Sequence, residues 1–458
     1  MSVSNHPKAY TSAALVLAFS MGICLTLGFK DFYPDLEARY VERVKRLRRE
    51  RERSLSPSMP RRRRRSSLLA PVTLKDRESA QDVTAVVATE TDIPVGIEGT
   101  IGNTPLFLIK SLSEATGCQI LGKAEFLNGA GNSPKDRVAL HMIETAEEAG
   151  LLTPHNGDTI YEGTVGSTGI SLATLARAKG YRCHICMPSD MSMEKVHLLN
   201  HLGATVERVS PAPITSRDHF VNLAKRRAVE HADVHADGSK GFFADQFESG
   251  ANWTAHVRTT GPEIYDQTGG KLAAFVAGAG TGGTISGVAH YLVNDKGLKD
   301  CRIVLADPQG SGLYNKIKYG VMYASTEREG TRRRTQVDTM VEGIGINRIT
   351  HNFEAGMDYI SDAVKVSDEQ AMRMARWLVE KDGIFIGSSS AVNAVAAVQT
   401  ALELRKQGKK GEEARVVTVL CDSGNRHLSK FWKSITETGL EEEHDNVGIL
   451  ELLGCEAP

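Results

Sequence analysis

Cysteine is scarce and scattered in this chain. The seven residues, Cys24, Cys118, Cys183, Cys186, Cys301, Cys421 and Cys455, show no framework spacing. A disulfide-stapled secreted scaffold is therefore excluded, and a reducing compartment is expected. Only Cys183 and Cys186 form a C-x-x-C pair. The surrounding segment reads as a short strand, in which positions three apart face opposite ways. No second cysteine pair or histidine cluster follows, so no metal site is expected. An excess of charge is also lacking: 55 basic against 56 acidic residues leave a formal net charge of -1. That balance gives no electrostatic footprint for nucleic acid, and none is expected as a partner. Internal repeats are absent too. What remains is a chain of 458 residues, 41% hydrophobic and 24% charged, which suits an enzyme of two or three folding units.

The near-zero sum hides a basic N-terminal segment and an acidic remainder. Residues 12–29 carry no charge, a run barely long enough to span a bilayer core of about 30 Å. Basic residues follow at Arg43, Lys45, Arg46, Arg48 and Arg49, then at Arg61 to Arg65. Positive charge after the span favours a C-terminal bulk in the cytosol. We read residues 1–30 as a membrane anchor, of the kind that inserts in the mitochondrial outer membrane, with the catalytic part facing the cytosol. A matrix-targeting sequence is the alternative, opposed by Asp31, Asp35, Glu37 and Glu42. Residues 31–95 read as a basic linker, helical over 35–53 and disordered over the Ser-, Pro- and Arg-rich stretch 54–75. The catalytic domain is placed at 96–440 and a tail at 441–458. A charged stretch at 326–340, containing Arg332, Arg333 and Arg334, reads as an insertion.

From about Thr100 strands and helices alternate, which argues for mainly parallel sheet covered by helices. Ligands in such folds bind at the carboxyl ends of the strands. Residues 128–137, Asn-Gly-Ala-Gly-Asn-Ser-Pro-Lys-Asp-Arg, read as a flexible loop opening a helix at Lys135. Ser133 suits its N-cap, Pro134 the first helical position and Asp136 the first turn. A lysine at the positive end of a helix is disfavoured as an ammonium, so its amine is a candidate nucleophile or Schiff base. A surface lysine on an amphipathic helix is the plainer alternative. Gly278 to Thr284, Gly-Ala-Gly-Thr-Gly-Gly-Thr, lies between an apolar strand and a helix. Its N–H groups and the hydroxyls of Thr281 and Thr284 suit a phosphate. The same string satisfies G-x-G-x-x-G, and Asp307 follows the next strand, so a nicotinamide dehydrogenase competes. It is not a P-loop, because no Lys-Ser/Thr pair closes it. A second strand-to-helix nest, Gly163 to Gly169, suits a carboxylate and precedes a helix expected over 170–179 and ended by Gly180. A phosphate site, a carboxylate site and a reactive lysine together suggest an amino acid joined to pyridoxal 5′-phosphate. A dehydrogenase accounts for the first loop alone.

These motifs resemble the fold-type II pyridoxal-phosphate family of cysteine synthases and cystathionine β-synthases, closest to a membrane-anchored fungal-type cysteine synthase. The likeness runs from Ile101-Gly-Asn-Thr-Pro-Leu through Ser133-Pro-Lys-Asp-Arg, Gly166-Ser-Thr-Gly-Ile, Thr260-Gly-Pro-Glu-Ile, Gly280-Thr-Gly-Gly-Thr and Glu342-Gly-Ile-Gly to Cys421-Asp-Ser-Gly-Asn-Arg-His-Leu-Ser. It implies an α/β fold like the tryptophan synthase β chain, with two three-layer parallel-sheet subdomains, and a homodimer. It further implies that Lys135 binds the cofactor aldehyde and that Gly280, Thr281, Gly282, Gly283 and Thr284 hold its phosphate. Ser423 would face the ring nitrogen, and Ser167 would approach the phenolic oxygen. Thr164, Gly166, Ser167 and Thr168 would take the substrate carboxylate, with Gly343 and Gly345 in a loop near the substrate entrance. Two departures stand out: Asn128 lies one residue further from the lysine than in the family, and Ser167 replaces an asparagine. No haem-binding or regulatory module is read. The expected reaction is β-replacement, O-acetyl-L-serine and sulfide giving L-cysteine and acetate. Cysteine desulfhydrase and cystathionine β-synthase are the alternatives, and a membrane-tethered scaffold of low turnover is the alternative of another class.

Overall fold

A computed structural model describes residues 93–191, 193–324, 339–440 and 447–456. The anchor, most of the linker and residues 326–338 of the insertion lie outside the described residues. Among the described residues, no helix is long and apolar enough to cross a membrane.

Ten strands form in chain order: β1 (Leu106–Leu108), β2 (Cys118–Ala124), β3 (Thr159–Gly163), β4 (Arg182–Pro188), β5 (Thr205–Val209), β6 (Gly241–Phe243), β7 (Ala274–Gly278), β8 (Arg302–Pro308), β9 (Asp362–Val366) and β10 (Gly411–Leu420). They make a six-stranded sheet, β1-β2-β10-β7-β8-β9, and a four-stranded sheet, β5-β4-β3-β6. Every pairing is parallel except the short edge strand β1 against β2. The expected parallel α/β architecture is thus observed.

Side chains alternate across a strand, so a sheet covered on both sides splits its residues between two cores. In β7, Val276 joins one cluster with Val304, Val416 and Val395, while Phe275 and Ala277 join another with Val417, Ile285 and Phe353. The helix Ser388–Lys406 closes the first core and is buried along nearly its whole length. Its Ala/Val-rich sequence suits such a position, where no solvent face is needed. The helix Asp368–Asp382 packs beside it, entered through a Ser367–Gln370 capping box and ended by Gly383 at φ 68°. The smaller sheet repeats the pattern. Cys183 and Ile185 face Val138 and Leu172, whereas Cys186 faces Leu223 and Ala224. The two cysteines of the C-x-x-C pair therefore enter different cores, as strand geometry requires. Residues Ile449–Leu452 form a short helix whose Ile449 joins the first core.

Candidate active site

The helix Lys135–Glu148 begins at the expected lysine, with Pro134 rather than Ser133 at the N-cap. Ser133 Oγ accepts from the Lys135 N–H at 3.3 Å. Asp136 fixes the preceding loop: its Oδ1 accepts from the Gly131 N–H at 2.7 Å and from Ser171 Oγ at 2.6 Å. The loop itself turns through Asn132, at φ 50°. Lys135 is partly buried, and its amine makes no hydrogen bond or ion pair among the described residues. Burial pushes the amine below the ordinary lysine range, and the nearby Cys421, Asp422 and Glu125 offset this in part. An amine held toward its neutral form can act as nucleophile and as base.

The elements behind Lys135 are joined by buried charges. Arg137 bonds Glu125 through Nε and Nη2, both at 2.8 Å, and Glu263 through Nη1 and Nη2 at 2.6 and 2.8 Å. Lys123 Nζ reaches Glu263 at 2.6 Å and the Thr104 carbonyl at 2.6 Å. Three separated motifs, around Thr104, Arg137 and Glu263, therefore meet in one network at the first turn of the helix Lys135–Glu148.

The glycine loop after β7 has the shape of an anion cradle. Among the described residues, the N–H groups of Gly280, Thr281, Gly282 and Thr284 make no hydrogen bond. Gly282 sits at φ 86°, and a Cβ there would lie 2.5 Å from the Cα of Phe353; a Cβ on Gly280 would lie 2.2 Å from the Gly343 carbonyl oxygen. Side chains are thus excluded where the backbone must approach closely. Thr281 Oγ1 accepts from Asn252 Nδ2 at 3.0 Å, and the Asn252 Oδ1 and Asn352 Oδ1 atoms nearby are buried without partners among the described residues. Thr284 Oγ1 lies 3.2 Å from Nε2 of the buried His256, whose Nδ1 is 2.9 Å from Thr260 Oγ1. Burial, then the charges of Lys135 and Arg137, push His256 well below the usual histidine range, so it stays neutral. The unpartnered amides and the glycine cradle fit a phosphate group.

The second loop follows β3. Among the described residues the N–H groups of Val165, Ser167 and Thr168 make no hydrogen bond. The helix begins at Ser167, three residues before the expected Ile170, and ends at Gly180 in the left-handed conformation. Thr168 Oγ1 donates to Gln246 Oε1 at 2.6 Å, and the Gln246 carbonyl accepts from Asn252 Nδ2 at 2.6 Å. The two loops are thus connected through Gln246 and Asn252. Ser167 Oγ lies 3.4 Å from Nη1 of Arg426, whose Nη2 bonds the Gly131 carbonyl. Ser423 Oγ caps a short turn by accepting from the Asn425 N–H at 3.3 Å. Gly343 and Gly345 have φ of 87° and 91°, and the Gly345 N–H donates to the Ala279 carbonyl at 2.9 Å, so their loop lies against the cradle.

The residues selected for cofactor and substrate thus fall on the lysine loop, the two nests, the Gly343 loop or the turn at Ser423, whereas Asp307, on β8, pairs with Lys365 and accepts from the Tyr314 N–H. Gln246, Asn252, His256 and Arg426 were not singled out. Asn252 and His256 stand four apart on the helix Ala251–Arg258, a spacing that puts both on one face. Arg426 lies three residues after Ser423 in the string Cys421-Asp-Ser-Gly-Asn-Arg-His-Leu-Ser, whereas Gln246 carries no comparable local signal.

The chain matches the family model described as "Pyridoxal-phosphate dependent enzyme" over residues 97–422. It is 67% identical over 453 residues to "Cysteine synthase 2" of Neurospora crassa, covering 97% of this chain and 96% of that protein. A Saccharomyces cerevisiae relative, whose name includes the words mitochondrial cysteine synthase, is 54% identical across 76% of this chain and 86% of its own length. The crystal structure of O-ureido-L-serine synthase superposes with a TM-score of 0.62 at 28% identity, over 77% of this chain and 97% of that one. A match to the family model over most of the chain, joined to relatives of this identity, means that the chain belongs to the pyridoxal-phosphate dependent enzymes, in their cysteine synthase branch.

Proposed function

We propose that the protein is a cysteine synthase that exchanges the acetate of O-acetyl-L-serine for sulfide. The single observation that carries the reading is the amine of Lys135, partly buried and pushed down by burial, in a site bordered by the two nests. The link to the first nest is His256, which feels the Lys135 charge and lies against Thr284. The link to the second is Asp136, hydrogen-bonded to Ser171 on the helix that follows it.

Pyridoxal phosphate supplies a carbonyl that binds an amine covalently and a ring that takes up the electron pair of the substrate Cα. The chain's residues do the rest. Gly280 to Thr284 would hold the phosphate, Lys135 the carbonyl end, and Ser423 would face the ring nitrogen. A hydroxyl there does not enforce ring protonation as a carboxylate would, which favours prompt loss of a β-substituent. The loop Thr164 to Thr168 would receive the substrate carboxylate through its free amides, and so orient the Cα–H bond toward Lys135. The Lys135 amine then takes that proton. Acetate leaves Cβ, sulfide adds to the same carbon, and the proton returns to Cα.

Assays of the purified full-length protein with O-acetylserine plus sulfide, serine plus homocysteine, and cysteine alone test the reading. The first pair is expected to give the highest kcat/KM. A preference for either other reaction would transfer the assignment to cystathionine β-synthase or cysteine desulfhydrase, and no turnover in any would leave a cofactor-binding scaffold.

The uncharged run 12–29, its basic flank and the name of the Saccharomyces cerevisiae relative support a mitochondrial enzyme anchored in the outer membrane. A homodimer is part of the same reading.

A further inference from the structure

Beneath the substrate-side nest lies a carboxyl group that the reaction above does not use. Glu162, on β3, is wholly buried. Its Oε1 accepts from the Gly163 N–H at 3.1 Å and from Gln246 Nε2 at 3.4 Å, and its Oε2 accepts from the Gln246 N–H at 3.2 Å. No ion pair compensates it among the described residues. Burial pushes this carboxyl up to about 8, the Asp245 charge adds to the rise, and the Gln246 and Gly163 N–H groups work against it. The Cys183 thiol of β4 shares its side of the sheet and the Cys186 thiol lies on the other side; both are pushed up to about 12 by burial and therefore neutral. An uncompensated buried acid is costly, so a site that keeps one demands a reason.

The bonds supply it. Glu162 grips Gln246 at both its main-chain and side-chain nitrogen. With Nε2 turned toward Glu162 and the Gly163 carbonyl, the Gln246 Oε1 is left to accept the Thr168 hydroxyl at 2.6 Å. An amide flipped the other way would set its oxygen against the Gly163 carbonyl oxygen and, once the acid is ionised, against Glu162 as well. We propose that Glu162 is a positioning residue for substrate binding: it fixes the orientation of Gln246, and through it the Thr168 hydroxyl in the loop that receives the carboxylate of the amino-acid substrate. The inference rests on the assignment of that loop as the carboxylate site.

The test is Glu162→Gln in the full-length, cofactor-loaded protein, assayed at pH 9, where the carboxyl is ionised. The substitution keeps the size but places an NH2 among N–H donors. KM for O-acetylserine is expected to rise about tenfold, with kcat within about threefold and KM for sulfide unchanged. Cofactor absorbance and content should match the parent protein. In a Thr168→Val background, Glu162→Gln should add less than about twofold, because the hydroxyl it positions is gone. Glu162→Asp keeps a carboxylate on a shorter arm and should fall between parent and Glu162→Gln. An unchanged KM, a fall confined to kcat, or a full effect in the Thr168→Val background would each overturn the proposal. If Glu162→Gln does not fold, Glu162→Asp decides alone: a KM within about 1.5-fold of the parent counts against positioning. If the parent protein turns over no O-acetylserine, the proposed reaction fails. The positioning role is then read from amino-acid binding, followed by the change in cofactor absorbance.

Discussion

Arg137 pairs with two carboxyls at once, Glu125 and Glu263. Burial pushes Glu125 and Glu263 up, but Arg137 and the hydrogen bonds it makes pull both below the ordinary carboxylate range. Removing one partner of such a cluster leaves uncompensated buried charge, at a cost of about 3–5 kcal/mol. Arg137→Met should therefore lower the melting temperature by roughly 5–10 °C at pH 7, measured by scanning calorimetry. The sign of the pH dependence follows from the depressed carboxyls. Their contribution is present above their unfolded values, near the ordinary 4.5, and is lost as pH falls through the lower folded ones. The gap between parent and variant should thus be widest near neutrality and narrow on acidification; a gap that widened in acid would refute the network. At this scale the sequence was informative where chemistry is local. Lys135 betrayed itself through the Ser-Pro-Lys-Asp string at a helix start. Gln246 and Arg426 did not, because Thr168 meets Gln246 from 78 positions away and Ser167 meets Arg426 from 259.

Elements place these side chains with little freedom. Each nest lies between a buried parallel strand and a helix, so its free amides converge at the strand's carboxyl end. The glycines are demanded by neighbours as well as by φ. Gly282→Ala would bring a methyl group to 2.5 Å from the Phe353 backbone at a φ of 86°, a combination in which strain and overlap add. Retention of pyridoxal phosphate after dialysis should fall at least about tenfold relative to the parent, read from absorbance, while the far-ultraviolet circular dichroism stays the same. Full retention of cofactor would remove the cradle from the phosphate assignment. Strand–loop–helix order was readable because glycines punctuate apolar runs. Element ends were less so: the helix after the second nest starts at Ser167 instead of Ile170, since Ser167 and Thr168 are compatible with either state and the packing of Leu172 and Leu175 draws the first turn in.

Over the whole molecule, two sheets of six and four strands bring their carboxyl-end loops to one site, while the proposed anchor lies outside the described residues. In isolated mitochondria the protein should remain in the membrane pellet after alkaline carbonate extraction, and added protease should digest its catalytic region without rupture of the outer membrane. Release by carbonate would remove the anchor, and protection from protease would favour the matrix. The sequence by itself determined the parallel α/β class and the family, and it singled out Lys135 and both glycine loops as candidates, because each is written in contiguous residues whose propensities and hydrogen-bonding groups act within one loop or one turn. Only the tertiary structure decided that Arg137 joins three distant motifs, that Gln246 bridges the two nests, and that Glu162 lies uncompensated beneath one of them. Burial and pairing are properties of what packs around a side chain, and its neighbours along the chain do not specify them.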